Sequence, residues 1–205
     1  MIAWLTAASI LFAIGASISV VVILFVKAPR AMTVFSVMAL LAAGAGWKIL
    51  ERSFRLDQVP DALEVREILY AKEESWGFGP GGNEAGIIVY SLPDNIAKAI
   101  NAAGLRYFAN LPPNRDEQRR GWRGSFSNWE ETPVKAGPHW KPDPASGRYK
   151  IGAYVCAYVP IEIDALIRQQ AADAVNNPGS YYAYGRIGII VVTPKSRRVF
   201  FMYNG

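Results

Sequence analysis

The chain has 205 residues, of which 51% are hydrophobic, with a formal net charge of +5, one cysteine and one histidine. A single cysteine excludes an internal disulfide framework, and a single histidine beside it leaves no cluster for a zinc site of the usual kind. Beyond residue 55 the basic and acidic residues nearly cancel, which excludes the basic face of a nucleic-acid binder.

The apolar excess lies at the start. Ile2 to Val26 carries no charge and, at about 1.5 Å per residue, makes roughly 37 Å of helix against a hydrocarbon core of about 30 Å. Its beginning, Met1-Ile-Ala-Trp4, lacks the basic start of a signal peptide, and the run is longer than a signal peptide needs. Ala31 to Trp47 is a second uncharged run, extended if Lys48 snorkels. The expectation is a transmembrane hairpin over residues 1–50, with spans about 2–26 and 31–50 and a turn at Lys27-Ala-Pro-Arg30. Ala39, Ala43 and Ala42, Gly46 repeat small residues at a spacing that lets two helices approach closely. Lys27 and Arg30 favour a cytoplasmic turn, so the N-terminus and the large C-terminal domain fall outside the cytoplasm, although Lys48, Arg52 and Arg55 pull the other way. The expected location is an inner membrane crossed twice, with the domain periplasmic.

Residues 51–60 read as a mixed-charge juxtamembrane linker and 61–205 as one domain. Asp61 to Glu74 fits a short helix or the first arm of a hairpin, and Gly86-Ile-Ile-Val-Tyr90 is a strand. Ser91-Leu-Pro-Asp94 opens a helix whose face is Ile96, Ala99, Ile100 and Ala103, and Gly104 closes it. Ile151 to Val159 is apolar throughout, as a buried strand is, and Pro160 opens a second helix facing inward through Ile163, Leu166, Ile167, Gln170 and Ala174. Gly188 to Val192 and Arg198 to Tyr203 form a hairpin around Thr193–Arg197. A faint echo links Gly86-Ile-Ile-Val with Gly188-Ile-Ile-Val. The fold class is therefore α+β, a mainly antiparallel sheet with two helices on one face. Residues 111–150 lack a period and are rich in Trp, Arg and Pro, and so long an irregular insertion is expected to be functional, to cover a core or to be partly disordered.

Gly77, Gly79 and Gly82 match the spacing of a dinucleotide loop, but they precede a strand rather than a helix and Pro80 removes an amide. The segment is a glycine-rich turn, and no cofactor is expected. Asn83, Glu84 and Asp94 lack the spacing of a calcium loop, so no metal is expected. His139 and Cys156 lie on different segments, and no catalytic residue is assigned. Glu73, Glu74 and Glu84 beside Trp76 and Phe78 allow an acid/base pair in principle.

The strongest pattern is the interleaving of cations with Trp122, Trp129 and Trp140, which suits a headgroup layer, an anionic partner, or simply the plugging of a core. The expected function is a membrane-anchored, non-catalytic binding or accessory module contacting an envelope partner or lipid headgroups. The alternative is a membrane-anchored hydrolase using carboxylates near the glycine-rich loop. The residues expected to bind are Trp76, Phe78, Asn83, Glu84, Arg119, Arg120, Trp122, Arg123, Trp129, His139 and Trp140.

Overall fold

A computed structural model describes residues 28–75, 84–136 and 140–204. The expected first span, the glycine-rich turn with Trp76, Phe78 and Asn83, and His139 lie outside the described residues. Contacts divide the chain into two compact units, one to Arg52 and one from Ser53. In the first, α1 (Pro29–Leu56) is a single helix that runs on through the charged stretch after the apolar run and into the second unit. Among the described residues it is the one helix long and apolar enough to cross a membrane, over Arg30–Leu56, and no second such span is found there.

The second unit is α+β. Its strands are β1 (Ile68–Ser75), β2 (Glu84–Ser91), β3 (Glu130–Glu131), β4 (Tyr181–Tyr184), β5 (Gly188–Thr193) and β6 (Arg198–Asn204), in one antiparallel sheet of order β1-β2-β6-β5-β4-β3. The helices are α2 (Asp94–Ala103), α3 (Leu105–Ala109), α4 (Glu117–Arg120), α5 (Ile151–Val155) and α6 (Ala165–Asn176), with a 3-10 turn at Asp61–Leu63. As expected, α2 ends at Gly104, whose φ of 61° only glycine adopts readily and whose amide donates to Ile100 O. Asp164 caps α6 by accepting from the Leu166 and Ile167 amides.

Several expectations need correction: among the described residues the second unit holds five α-helices after α1 rather than two, Ala99 of α2 is exposed while Ala97 is buried, and α6 begins at Ala165 rather than at Pro160. Helices cover both faces of the sheet rather than one: α2 contributes Ile96, Ala97 and Ile100 to the core over Ile88, Tyr90 and Phe201, while α5 and α6 cover Ile87, Val89, Phe200 and Met202. That is why β2, β5 and β6 read as unbroken apolar runs instead of alternating ones. Ile151–Val155 is a helix rather than a strand, because a short apolar run fits either when both are buried. Leu166 points away from the core, and Ala171 and Val175 take the inward positions of α6.

The echo between Gly86-Ile-Ile-Val and Gly188-Ile-Ile-Val has a structural basis. The strands β2 and β5 flank β6 in the same register, so Gly86 and Gly188 both oppose Tyr203, Ile87 and Ile189 both oppose Met202, and Val89 and Val191 both oppose Phe200. Equal neighbours impose equal side-chain volumes. The glycines clear room for Tyr203: a Cβ on Gly86 would lie 2.8 Å from the Tyr203 hydroxyl, and one on Gly188 would run into Met202 O and lie 2.8 Å from Tyr203 Cβ. Gly188→Ala is therefore expected to destabilise the full chain by about 1–3 kcal/mol through overpacking of a backbone that cannot retreat. Unfolding in urea followed by tryptophan fluorescence measures it, and an unchanged midpoint refutes the close fit.

Candidate functional site

The stretch leaving α1, Ser53 to Asp61, is held by two groups of polar contacts. On one side the Arg55 guanidinium donates to the Glu73 carboxylate at 2.7 and 3.0 Å, and Tyr203 donates its hydroxyl to the other oxygen of Glu73. The Tyr90 hydroxyl donates to Arg55 O at 2.6 Å. Burial, followed by the negative charge of Glu73, drives both phenols well above their ordinary range, so they act as neutral donors. Glu73 thus has both oxygens engaged, and Glu74 pairs with Lys72 at 3.0 Å.

On the other side lies an arginine clasp. Arg119 donates to the two Asp57 carboxylate oxygens at 2.6 and 3.1 Å, a bidentate fork. Arg120, 3% exposed, reaches Asp57 O at 2.7 Å, Val59 O at 2.6 Å and the Asp61 carboxylate at 2.5 Å. The Asp61 carboxylate also accepts from the Arg115 amide at 2.7 Å. Gly124, at φ 71°, lets the backbone pass this cluster; any Cβ there would strike Arg120 Nη2.

Burial opposes ionisation of Asp61, but the Arg115 amide and the Arg120 guanidinium outweigh it and hold its carboxyl below the usual range. A depressed folded-state value means stability that is present above the unfolded pKa of about 3.9 and is lost as pH falls through the folded value. Asp61→Asn is expected to lower stability near neutral pH and to flatten the acid limb below about pH 4. Thermal unfolding across pH measures both, and parallel profiles for the two proteins would overturn the assignment.

Beside the clasp lies an open cleft of about 750 Å³, lined by Leu56, Asp57, Pro60, Asp61, Glu64, Val65, Arg66, Pro112, Pro113, Arg115, Asp116, Arg119 and Arg120 among others. Four of its lining charges pair off, Arg119 with Asp57 and Arg120 with Asp61. A second hollow, about 520 Å³ between α5 and α6, has Arg148, Lys150 and Arg168 at its edge. Those cations are already engaged, by Asp173 at 3.7 Å, by Asp143, and by Ile163 O at 2.9 Å respectively.

The structure brings together Arg119, Arg120, Trp122 and Arg123 and, among the described residues, places Glu84, Trp129 and Trp140 elsewhere. Arg123 lies over the Phe54 ring at 5.1 Å, and Trp122 is 36% exposed. Trp129 stacks on Phe108 at 4.3 Å over one face of the sheet. Trp140, 2% exposed, sits under the opposite face against Tyr149 and Tyr154. Glu84 is exposed at the start of β2, opposite Ser75. Lys135, farther along the same segment, pairs with Glu130, which accepts from Tyr182 at 2.8 Å. Burial first, and that carboxylate as well, push the Tyr182 phenol up to about 12.

The residues that the sequence reading passed over are Asp57 and Asp61, assigned to the linker and domain start, and Phe54. Two acids four positions apart, followed later by paired arginines, were the available signal. Among the described residues no group of three or more His, Cys, Asp or Glu side chains is arranged to hold a metal ion. Comparison with known proteins finds no matching family, no similar curated protein and no similar solved structure.

Proposed function

We propose that this chain is a membrane-anchored, non-catalytic binding or accessory module of an inner membrane, crossing it twice and presenting its α+β domain to the periplasm, where the open cleft takes a segment of an envelope partner. The observation that carries this reading is the pairing of two of the cleft's carboxylates, Asp57 and Asp61. Asp57 and Asp61 are locked by Arg119 and Arg120, and the Arg115 amide and Arg120 guanidinium hold the Asp61 carboxyl below its usual range, so the pair is built for charge pairing rather than for acid/base work. The engaged oxygens of Glu73 likewise weigh against the hydrolase alternative. What the cleft offers instead is volume within the usual range of binding sites, apolar walls at Leu56, Val65 and Pro112, and an exposed guanidinium at Arg115.

A photo-crosslinking residue in place of Arg115, in the full chain in native membranes, tests the reading. The expected result is a discrete adduct that disappears when Pro113→Glu and Val65→Glu crowd the cleft. A chain that stays in the membrane through alkaline carbonate washing yet gives no adduct overturns the binding role. A chain released by that washing overturns the anchor.

A further inference from the structure

The geometry points to a second contact surface, outside the cleft: a patch of Phe54, Trp122, Arg123 and Arg186 that seats the domain on an anionic lipid headgroup layer. The inference rests on the membrane-anchored reading above, since it needs a bilayer at the end of α1. Phe54 belongs to the last turn of the apolar helix and is 48% exposed. On the anchored reading it lies past Lys48, Glu51 and Arg52, beyond the end of the apolar run, in the headgroup region where aromatic rings gather. Arg123 covers the Phe54 ring and donates from Nη2 to Arg119 O at 2.9 Å, which fixes its guanidinium beside the aromatic surface. Trp122 comes two residues after Arg120, whose guanidinium the clasp holds, and is 36% exposed, so its ring stands beside an anchored stretch of chain. Arg186 comes from the connection between β4 and β5 and borders one crevice with Trp122 and Gln58.

The sign of the partner follows from which charges remain. Arg119 is neutralised by Asp57 and Arg120 by Asp61. Neither Arg123 nor Arg186 is engaged by a carboxylate among the described residues. The patch thus presents two uncompensated guanidinia around aromatic rings. A neutral, zwitterionic surface has no net potential to attract them, whereas each arginine brought to an anionic leaflet strengthens attachment by about five-fold. A protein partner would need an equally flat acidic face at the same depth; the continuity of Phe54 with the apolar helix favours lipid.

The test uses the full chain in nanodiscs of phosphatidylcholine alone or mixed with phosphatidylglycerol. A spin label on Ser125→Cys, an exposed position in the crevice that Trp122 and Arg186 border, in a Cys156→Ala background, reports collisions with an aqueous nickel chelate at the patch itself. Docking shields the label in the anionic discs, and molar salt restores access by shortening the Debye length to about 3 Å. The R123Q/R186Q double variant is expected to weaken docking by about thirty-fold, two arginines' worth. Equal collision rates for the unsubstituted patch in both lipids at low salt overturn the proposal without any variant needing to fold, and so does shielding that salt leaves unchanged. Loss of the chain from both kinds of disc would instead show that the anchor reading has failed.

Discussion

Arg120→Ala is expected to destabilise the domain by about 3–5 kcal/mol, a drop in Tm of roughly 6–20 °C for a domain of this size. The guanidinium is buried and satisfies three acceptors at once: Asp57 O, Val59 O and the Asp61 carboxylate. Alanine leaves both carbonyls short of a partner and the carboxylate without its countercharge, and each such orphan costs about 1–3 kcal/mol or more. Lysine does not restore the set, because a single ammonium cannot reproduce a planar fork that reaches carbonyls and carboxylate together. Gly124→Ala should fall in the same direction, since its Cβ meets Arg120 Nη2 and its φ of 71° is strained for alanine. Thermal unfolding of the full chain in micelles, followed by tryptophan fluorescence, reads the change. If Arg120→Ala melts with the unsubstituted protein, the clasp is ornamental and the anchoring of the chain beside Trp122 loses its basis.

Trp140→Ala should cost about 3–5 kcal/mol by a different route. Trp140 is among the largest fully buried side chains, lies 4.9 Å from the Tyr149 ring and 4.8 Å from the Tyr154 ring between centroids, and closes the core under α5 and α6. Removing it opens a cavity that Tyr149 and Tyr154, tethered through their backbones by Asn176 and Asn204, cannot fill. Trp140→Phe, which keeps most of the volume, should recover the larger part of the loss. Binding to anionic nanodiscs should persist in any Trp140 variant that remains folded, because this indole lies beneath the sheet face opposite to Phe108 and Trp129. Equal destabilisation by alanine and phenylalanine would contradict the packing account.

Those two residues show how far sequence alone reaches. Periodicity and punctuation placed α2, α6, β2 and the β5–β6 hairpin, because Gly104, Asp164 and Thr193–Arg197 act locally on the backbone. Ile151–Val155 escaped because a short apolar run obeys no period once every side is covered. The second covered face escaped for the same reason: it is a property of pairs such as Ile96 with Ile88, remote in sequence. In the Trp/Arg segment, composition identified the cluster but not the roles. Arg120 and Trp140 look like Arg123 and Trp122 in a string of letters. What separates them is whether Asp57, Asp61 or the tyrosines of α5 and its approach lie opposite, and only the folded chain decides that.

The shared register of β2 and β5 on β6 carries a consequence for how the domain is assembled. The strand β6 is the hub of the sheet, paired on both sides, yet it follows every other strand in the chain. During synthesis the β1–β2 hairpin must wait through α2, the Trp/Arg segment and both later helices with the inner edge of β2 unpaired. Contacts so distant in sequence form slowly, and an unpaired apolar edge is open to the wrong neighbour in the meantime. Nascent chains halted before Arg198 should therefore be the aggregation-prone species, and a chaperone that shelters Gly86–Tyr90 should matter more to yield than one acting on the finished protein.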